Sequence, residues 1–284
     1  MQATLQLHDK TADFLEAQGV KPKTDSPAAK ELEAFERPES LLTAYSQGTS
    51  LIEVAADHLV AFTRTVTEPA QSIAPWTLAR AVLETSALSC WLLDTKITSR
   101  QRVGRSLALR YEGLVQQTKF GQALPLPSET AKVKSRIEEV EAVAESIGFS
   151  KLRSDKGKRI GIGQVMPTIT EIARDTLNEE SHYRLFSAMA HAHHWAFSQL
   201  SFKKANATDY HDSKALLMEK NLPIEAVLWL CSHVSRYFAQ PLKRQCELYG
   251  WDLAGLKTIL DSVFYEMGIR RDSELWHTAL PNTQ

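Results

Sequence analysis

Cysteine is scarce in this chain and scattered. Cys90, Cys231 and Cys246 are odd in number and far apart, and no CxxC occurs. A zinc ribbon and a thioredoxin-type motif are therefore excluded, and buried reduced thiols of a cytosolic protein are expected. An excess of one charge is also lacking: 33 Lys and Arg stand against 34 Asp and Glu. With a net charge of −1, no global field draws the chain to nucleic acid or to an acidic membrane. This argues against a sequence-specific DNA binder and leaves room only for a local basic cleft. No uncharged apolar run reaches the length of a membrane span, so no membrane partner is expected. Residues 1–10 lack a basic segment followed by an apolar run, so the reading is cytoplasmic with no signal peptide. Strand-type alternation is nearly absent.

What is present is helical periodicity over 284 residues, 43% of them hydrophobic. The expected class is all-α, a multi-helix bundle of about eight to ten helices with no credible sheet. Residues 1–38 read as an N-terminal helix (5–18, stopped by Gly19) and a linker holding Pro22, Pro27 and Pro38. Residues 39–270 read as one helical domain, and 271–284 as a polar tail. Within the domain, helices are expected over 40–64, 75–94, 98–120, 128–146, 167–177, 181–202 (with Asn178 or Ser181 as its cap), 214–220, 223–249 and 253–267. Pro75 suits a first helical turn, and Pro241 marks a kink in its helix. Residues 147–164 hold Gly148, Gly157, Gly161 and Gly163 with five basic residues between 151 and 159. They lack the G-x-x-x-x-G-K-[ST] order and a preceding strand, so a solvated loop is expected there rather than a phosphate cradle.

Two helices depart from simple amphipathicity. Residues 76–93 are apolar nearly all the way round, which marks a central helix. Yet Arg80 and Glu84 lie on one face of it, with Trp76, Ala87 and Trp91. A charge in such a helix needs a partner, since an unpaired one costs several kcal/mol. Arg80 and Glu84 can pair with each other, or Glu84 can orient a cation on a neighbouring helix, such as Arg184.

The second helix carries Tyr183-Arg184-Leu185-Phe186-Ser187-Ala188-Met189-Ala190-His191-Ala192-His193-His194-Trp195. At about 100° per residue, His191 and Trp195 fall within about 20° of Arg184, and Ser187 and His194 within about 80°. A cation, a hydroxyl and an imidazole thus share one stripe, where a small anionic group can touch all three. Trp195 and the small residues Ala188 and Ala192 make this stripe a cleft wall or subunit interface. The histidines do not form a metal set by themselves. His193 points about 160° away from His191, and further ligands would have to come from His211, Asp212 or His233. No metal and no cofactor are expected.

Arg80-Ala81-Val82-Leu83-Glu84, an Arg-rich helix with Arg100, Arg102, Arg105 and Arg110, and the Arg184–His191 segment together resemble the HEPN superfamily. Its signature is an Arg, four to six residues and a His near the start of a late helix. Arg184 and His191, with six residues between them, fit the long form, with a HEPN-like core over about 75–250. The resemblance implies a metal-independent endoribonuclease of a defence or toxin–antitoxin type. It would act as a homodimer on RNA, with an antitoxin or other partner protein. Arg184 would hold phosphate and His191 would move protons. Ser187 would add a hydrogen bond and Glu84 would fix Arg184, with Arg80, Trp195 and His194 at the binding surface. The alternative is a non-catalytic helical module that binds a partner protein or a small anionic ligand.

Overall fold

A computed structural model describes residues 2–123, 127–157, 159–204, 208–210, 213–215, 218–220 and 222–268. The polar tail, His211 and Asp212 lie outside them. Among the described residues the chain is an all-α bundle of eleven helices with seven short strands. The helices are α1 (Gln2–Gln18), α2 (Pro27–Ala34), α3 (Pro38–Thr65), α4 (Ala74–Leu92), α5 (Ser99–Ala123), α6 (Pro127–Ser146), α7 (Ile169–Leu177), α8 (Glu180–Ala190), α9 (His194–Leu200), α10 (Ile224–Tyr249) and α11 (Leu253–Glu266).

The helix with apolar residues on several faces is the centre of the fold. α4 packs against α3, α5, α7, α8 and α10, and Val82, Leu83, Ala87, Cys90 and Leu92 have no exposed surface. Gly48 lets α3 approach it: an added Cβ would stand 2.6 Å from the Leu93 side chain, and Ser89 donates to the Gly48 carbonyl at 2.8 Å. Pro27, Pro38 and Pro75 sit in the first turns of α2, α3 and α4, where no N–H is needed. The segment read as a linker therefore contains a helix. Ser26 caps α2, and α2 packs on α3 and α10. α10 continues through Pro241 and ends at Gly250, whose φ of 68° gives the left-handed turn.

The sequence reading misplaced structure in two further regions. Residues 147–164 form a three-stranded antiparallel sheet, β1 (Lys151–Arg153), β2 (Arg159–Ile162) and β3 (Gln164–Val165), in place of a loop. β2 and β3 lie on α5. Of residues 214–220, read as a helix, the described ones (214–215 and 218–220) lie instead in strands. β4 (Phe202–Lys204) pairs with β7 (Met218–Lys220), and β5 (Thr208–Tyr210) with β6 (Ser213–Ala215). The two ladders pair the backbone groups of these strands.

The Arg-rich helix is a set of staples and not a basic face. On α5, Arg100 donates to the carbonyls of Ile147 and Gly148 at the end of α6 and lies over the Phe149 ring. Arg105 donates to the Trp91 carbonyl and faces Asp94 at 3.6 Å. Arg102 is fully buried against Glu31. Cys90, Cys231 and Cys246 are buried free thiols, and burial pushes Cys90 and Cys246 up to about 12. They are poor nucleophiles in consequence.

Candidate functional site

The helix expected to run from 181 to 202 is broken in the middle of the proposed motif. α8 stops at Ala190, and α9 begins at His194. His191 is the last helix-like residue, and Ala192 turns into the left-handed region at φ 53°. The Ala192 N–H bonds the Met189 carbonyl at 3.1 Å, and the His193 N–H bonds that of Ala188 at 2.9 Å. This pair of reverse bonds is a Schellman closure, a role in which glycine is usual. An L-residue there is strained by about 1 kcal/mol. Replacing Ala192 with Gly is therefore expected to raise stability by about 0.5–1 kcal/mol, read as a shift in the urea midpoint. An unchanged or lowered midpoint would show that the turn carries no strain.

The break separates the residues of the supposed stripe. Arg184, Ser187 and His191 stay on α8, while His194 and Trp195 belong to α9. Trp195 is 51% exposed, and the His194 ring stacks edge-on against Phe197. The Arg184 side chain is 67% exposed and bonds Glu180, one turn back, at 2.8 and 2.9 Å. Glu84 is not its partner. Glu84 pairs with Arg80 through Nη2 at 2.9 Å and Nε at 3.0 Å, the within-helix pairing that the spacing allowed.

It is Arg80 that meets His191. Where α4 packs on α8, Nη1 of Arg80 lies 3.4 Å from Nε2 of His191, and Nη2 donates to the Tyr183 hydroxyl at 3.4 Å. The guanidinium also lies 5.6 Å from the centre of the Tyr183 ring. Burial would push Arg80 down, but the Tyr183 hydroxyl and the Glu84 carboxylate outweigh it, and the net direction is up. Burial likewise pushes the Tyr183 phenol up. A permanent cation, a neutral phenol and an imidazole thus converge, with the cation fixed from below by a carboxylate. His191 is exposed, so the group is reachable from solvent. Tyr183, a member of this cluster, stood within the quoted motif, but its spacing assigned it no role.

A second polar cluster at the opposite end of α8 is absent from the sequence reading. Glu179 is the N-cap residue of α8, while Asn178, read as a possible helix start, is the left-handed cap of α7. The buried Glu179 carboxylate pairs with Arg236 of α10 and touches Nδ1 of His182 at 2.5 Å. His182 Nδ1 also lies 2.7 Å from the Tyr237 hydroxyl. The His233 ring stands perpendicular to that of His182 at 4.8 Å, and His233 Nδ1 lies 2.8 Å from the Trp229 carbonyl. Burial pushes His182 down, and pushes His233 down to about 4.

A buried histidine of this kind makes stability depend on pH. The folded state resists protonating His233, while the unfolded chain takes up the proton near the ordinary value of 6.5. Stability from this group is complete above pH 6.5 and is lost as pH falls from 6.5 toward 4. The expected loss is about 2 kcal/mol between pH 7.5 and pH 5, seen in urea midpoints. In His233→Gln the part due to this group disappears. A pH profile identical in wild type and His233→Gln would contradict the assignment.

Among the described residues, no group of three or more His, Cys, Asp or Glu side chains converges as a metal site would require. Among them, too, no helix is long and apolar enough to cross a membrane. No family model matches the chain, and neither a curated protein nor a solved structure is significantly similar to it.

Proposed function

We propose that this chain is a HEPN-type endoribonuclease that cleaves RNA without a metal, and that its reacting groups lie where α4 meets α8. The observation that carries this reading is the contact of 3.4 Å between the Arg80 guanidinium and the solvent-open His191 imidazole. His191 takes the proton of a ribose 2′-hydroxyl. The 2′-oxygen then attacks phosphorus and the bond to the 5′-oxygen breaks. The imidazolium returns a proton to that leaving oxygen, giving a 2′,3′-cyclic phosphate and a 5′-hydroxyl. Arg80 neutralises the charge that builds on the phosphoryl oxygens, and Glu84 and Tyr183 keep it aimed.

This assigns to Arg80 the role that the motif alone would give Arg184. Arg184 is exposed on α8 and fits a flanking phosphate of an extended strand, and Ser187 lies between Arg184 and His191 along the chain. The exposed Trp195 ring suits a second copy or a partner protein. The deciding experiment is incubation of the purified chain with single-stranded RNA in excess chelator. Cleavage leaving cyclic phosphate ends, and lost in His191→Ala and Arg80→Ala, is expected. Cleavage that needs added metal, or that survives both substitutions, overturns the reading.

A further inference from the structure

The end of α8 away from His191 borders a cavity of about 510 Å3, set between the α7–α8 corner and the middle of α10. Arg174, Arg236 and Arg244 line it, with Gln240 and the two carboxylates Asp175 and Glu179. Its size falls within the usual range of small-molecule sites, about 300–1,000 Å3, but its wall is far more polar than theirs. An apolar ligand would take water from these charged groups and return no hydrogen bond, so the wall selects a polar one.

The charges select its sign. Glu179 is taken up by Arg236, and Asp175 by Arg174, which donates to it at 2.8 and 3.4 Å. Arg244 donates to two main-chain carbonyls, those of Cys90 and Thr176, at 2.8 and 2.9 Å. Asp94 stands 3.8 Å from it and is shared with Arg105 at 3.6 Å. Among the residues that line the cavity, three guanidinium groups (Arg174, Arg236 and Arg244) stand against two carboxylates (Asp175 and Glu179), so its wall carries more positive than negative groups.

Two of the cavity arginines are fixed in place. Arg236 is buried and Arg244 is held by carbonyls, so both are set before any ligand arrives. Arg174 is half exposed, and its surface pair with Asp175 contributes little, so it can swing inward at small cost. Planar forks of this kind match a phosphate group with paired N–H donors.

We propose that this cavity binds a small phosphomonoester of about nucleotide size, with its phosphate between Arg174 and Arg244 and its polar body against Gln240. The site is separate from the Arg80–His191 group and holds whether or not RNA is cleaved. The eleven residues of α8 set the two about 16 Å apart.

The test is calorimetric titration of the full chain with inorganic phosphate, adenosine monophosphate and succinate. One molecule of adenosine monophosphate is expected to bind per chain, more tightly than inorganic phosphate and much more tightly than succinate. Arg174→Gln is expected to weaken it about tenfold without shifting the unfolding temperature. Gln240→Leu is expected to weaken it against inorganic phosphate as the reference. Absence of saturable binding of either phosphate compound overturns the proposal. So does binding that both substitutions leave intact, since the ligand then sits elsewhere. Preference for succinate overturns the phosphomonoester assignment.

Discussion

If the chain cleaves RNA as proposed, replacing His191 by Ala is expected to lower the rate about 10²–10⁴-fold and to leave folding intact. The imidazole is exposed at the end of α8, so its loss opens no cavity and strands no buried donor. On the same proposal, Arg80→Ala is expected to lower the rate about 10²–10³-fold, because the guanidinium proposed to face the phosphoryl oxygens is removed. Arg80→Lys recovers little, since an ammonium cannot bond Glu84 through two nitrogens while facing a phosphate. Arg184→Ala is the informative comparison. Its side chain is two-thirds exposed and tied to Glu180, so its loss is expected to cost less than that of Arg80. Rate measurements on the three alanine variants decide between two sites. If Arg184→Ala is the more damaging, the cation of the motif is Arg184, and Arg80 is a structural ion pair with Glu84. If all three cleave like wild type, the α4–α8 junction is not where the chemistry occurs.

The parts of this site that depend on local spacing were legible in the sequence. Arg80 and Glu84, four apart in an apolar helix, had to find partners, and they found each other. The centrality of α4 followed from apolar residues on several faces. The break after Ala190 was not legible, because it relies on Ala192 adopting a conformation for which the chain offers no Gly, Asn or Pro. Continuous helical phase through 195 was the natural inference, and it placed Trp195 and His194 on a stripe they do not share. The choice of cation was also hidden. Which Arg reaches His191 depends on the crossing of α4 and α8, a contact between residues 111 apart in sequence. Glu179 and Arg236 show the same limit: neither is conspicuous alone, and only the packing of α8 on α10 reveals a buried pair. Proline spacing likewise suggested a linker at residues 20–38. Two of those prolines, Pro27 and Pro38, open helices, because a first-turn position asks nothing of the missing N–H.

Replacing Arg102 by Ala destabilises the fold by about 3–5 kcal/mol. The side chain has no exposed surface, and its three bonds tie separate elements. Nε and Nη2 reach the two oxygens of Glu31 on α2 at 3.1 and 3.0 Å, and Nη1 reaches the Leu92 carbonyl at the end of α4 at 2.6 Å. Tyr45 of α3 donates to the same carboxylate at 2.6 Å, and its ring lies 5.4 Å from the guanidinium carbon. Removing the cation leaves a largely buried carboxylate facing a phenol that burial and Glu31 already hold far above its ordinary range. The loss is therefore more than one ion pair: an unpaired charge and an unpaired carbonyl are left between four helices. Arg102→Lys is expected to recover only part, because a single ammonium cannot span two carboxylate oxygens and a carbonyl together. Arg102→Met combined with Glu31→Gln is expected to be more stable than Arg102→Met alone, since the stranded charge is gone. Urea midpoints for these variants give the answer. A loss below about 1 kcal/mol for Arg102→Ala would place this pair with surface ion pairs and would mean that α2 is not anchored through it.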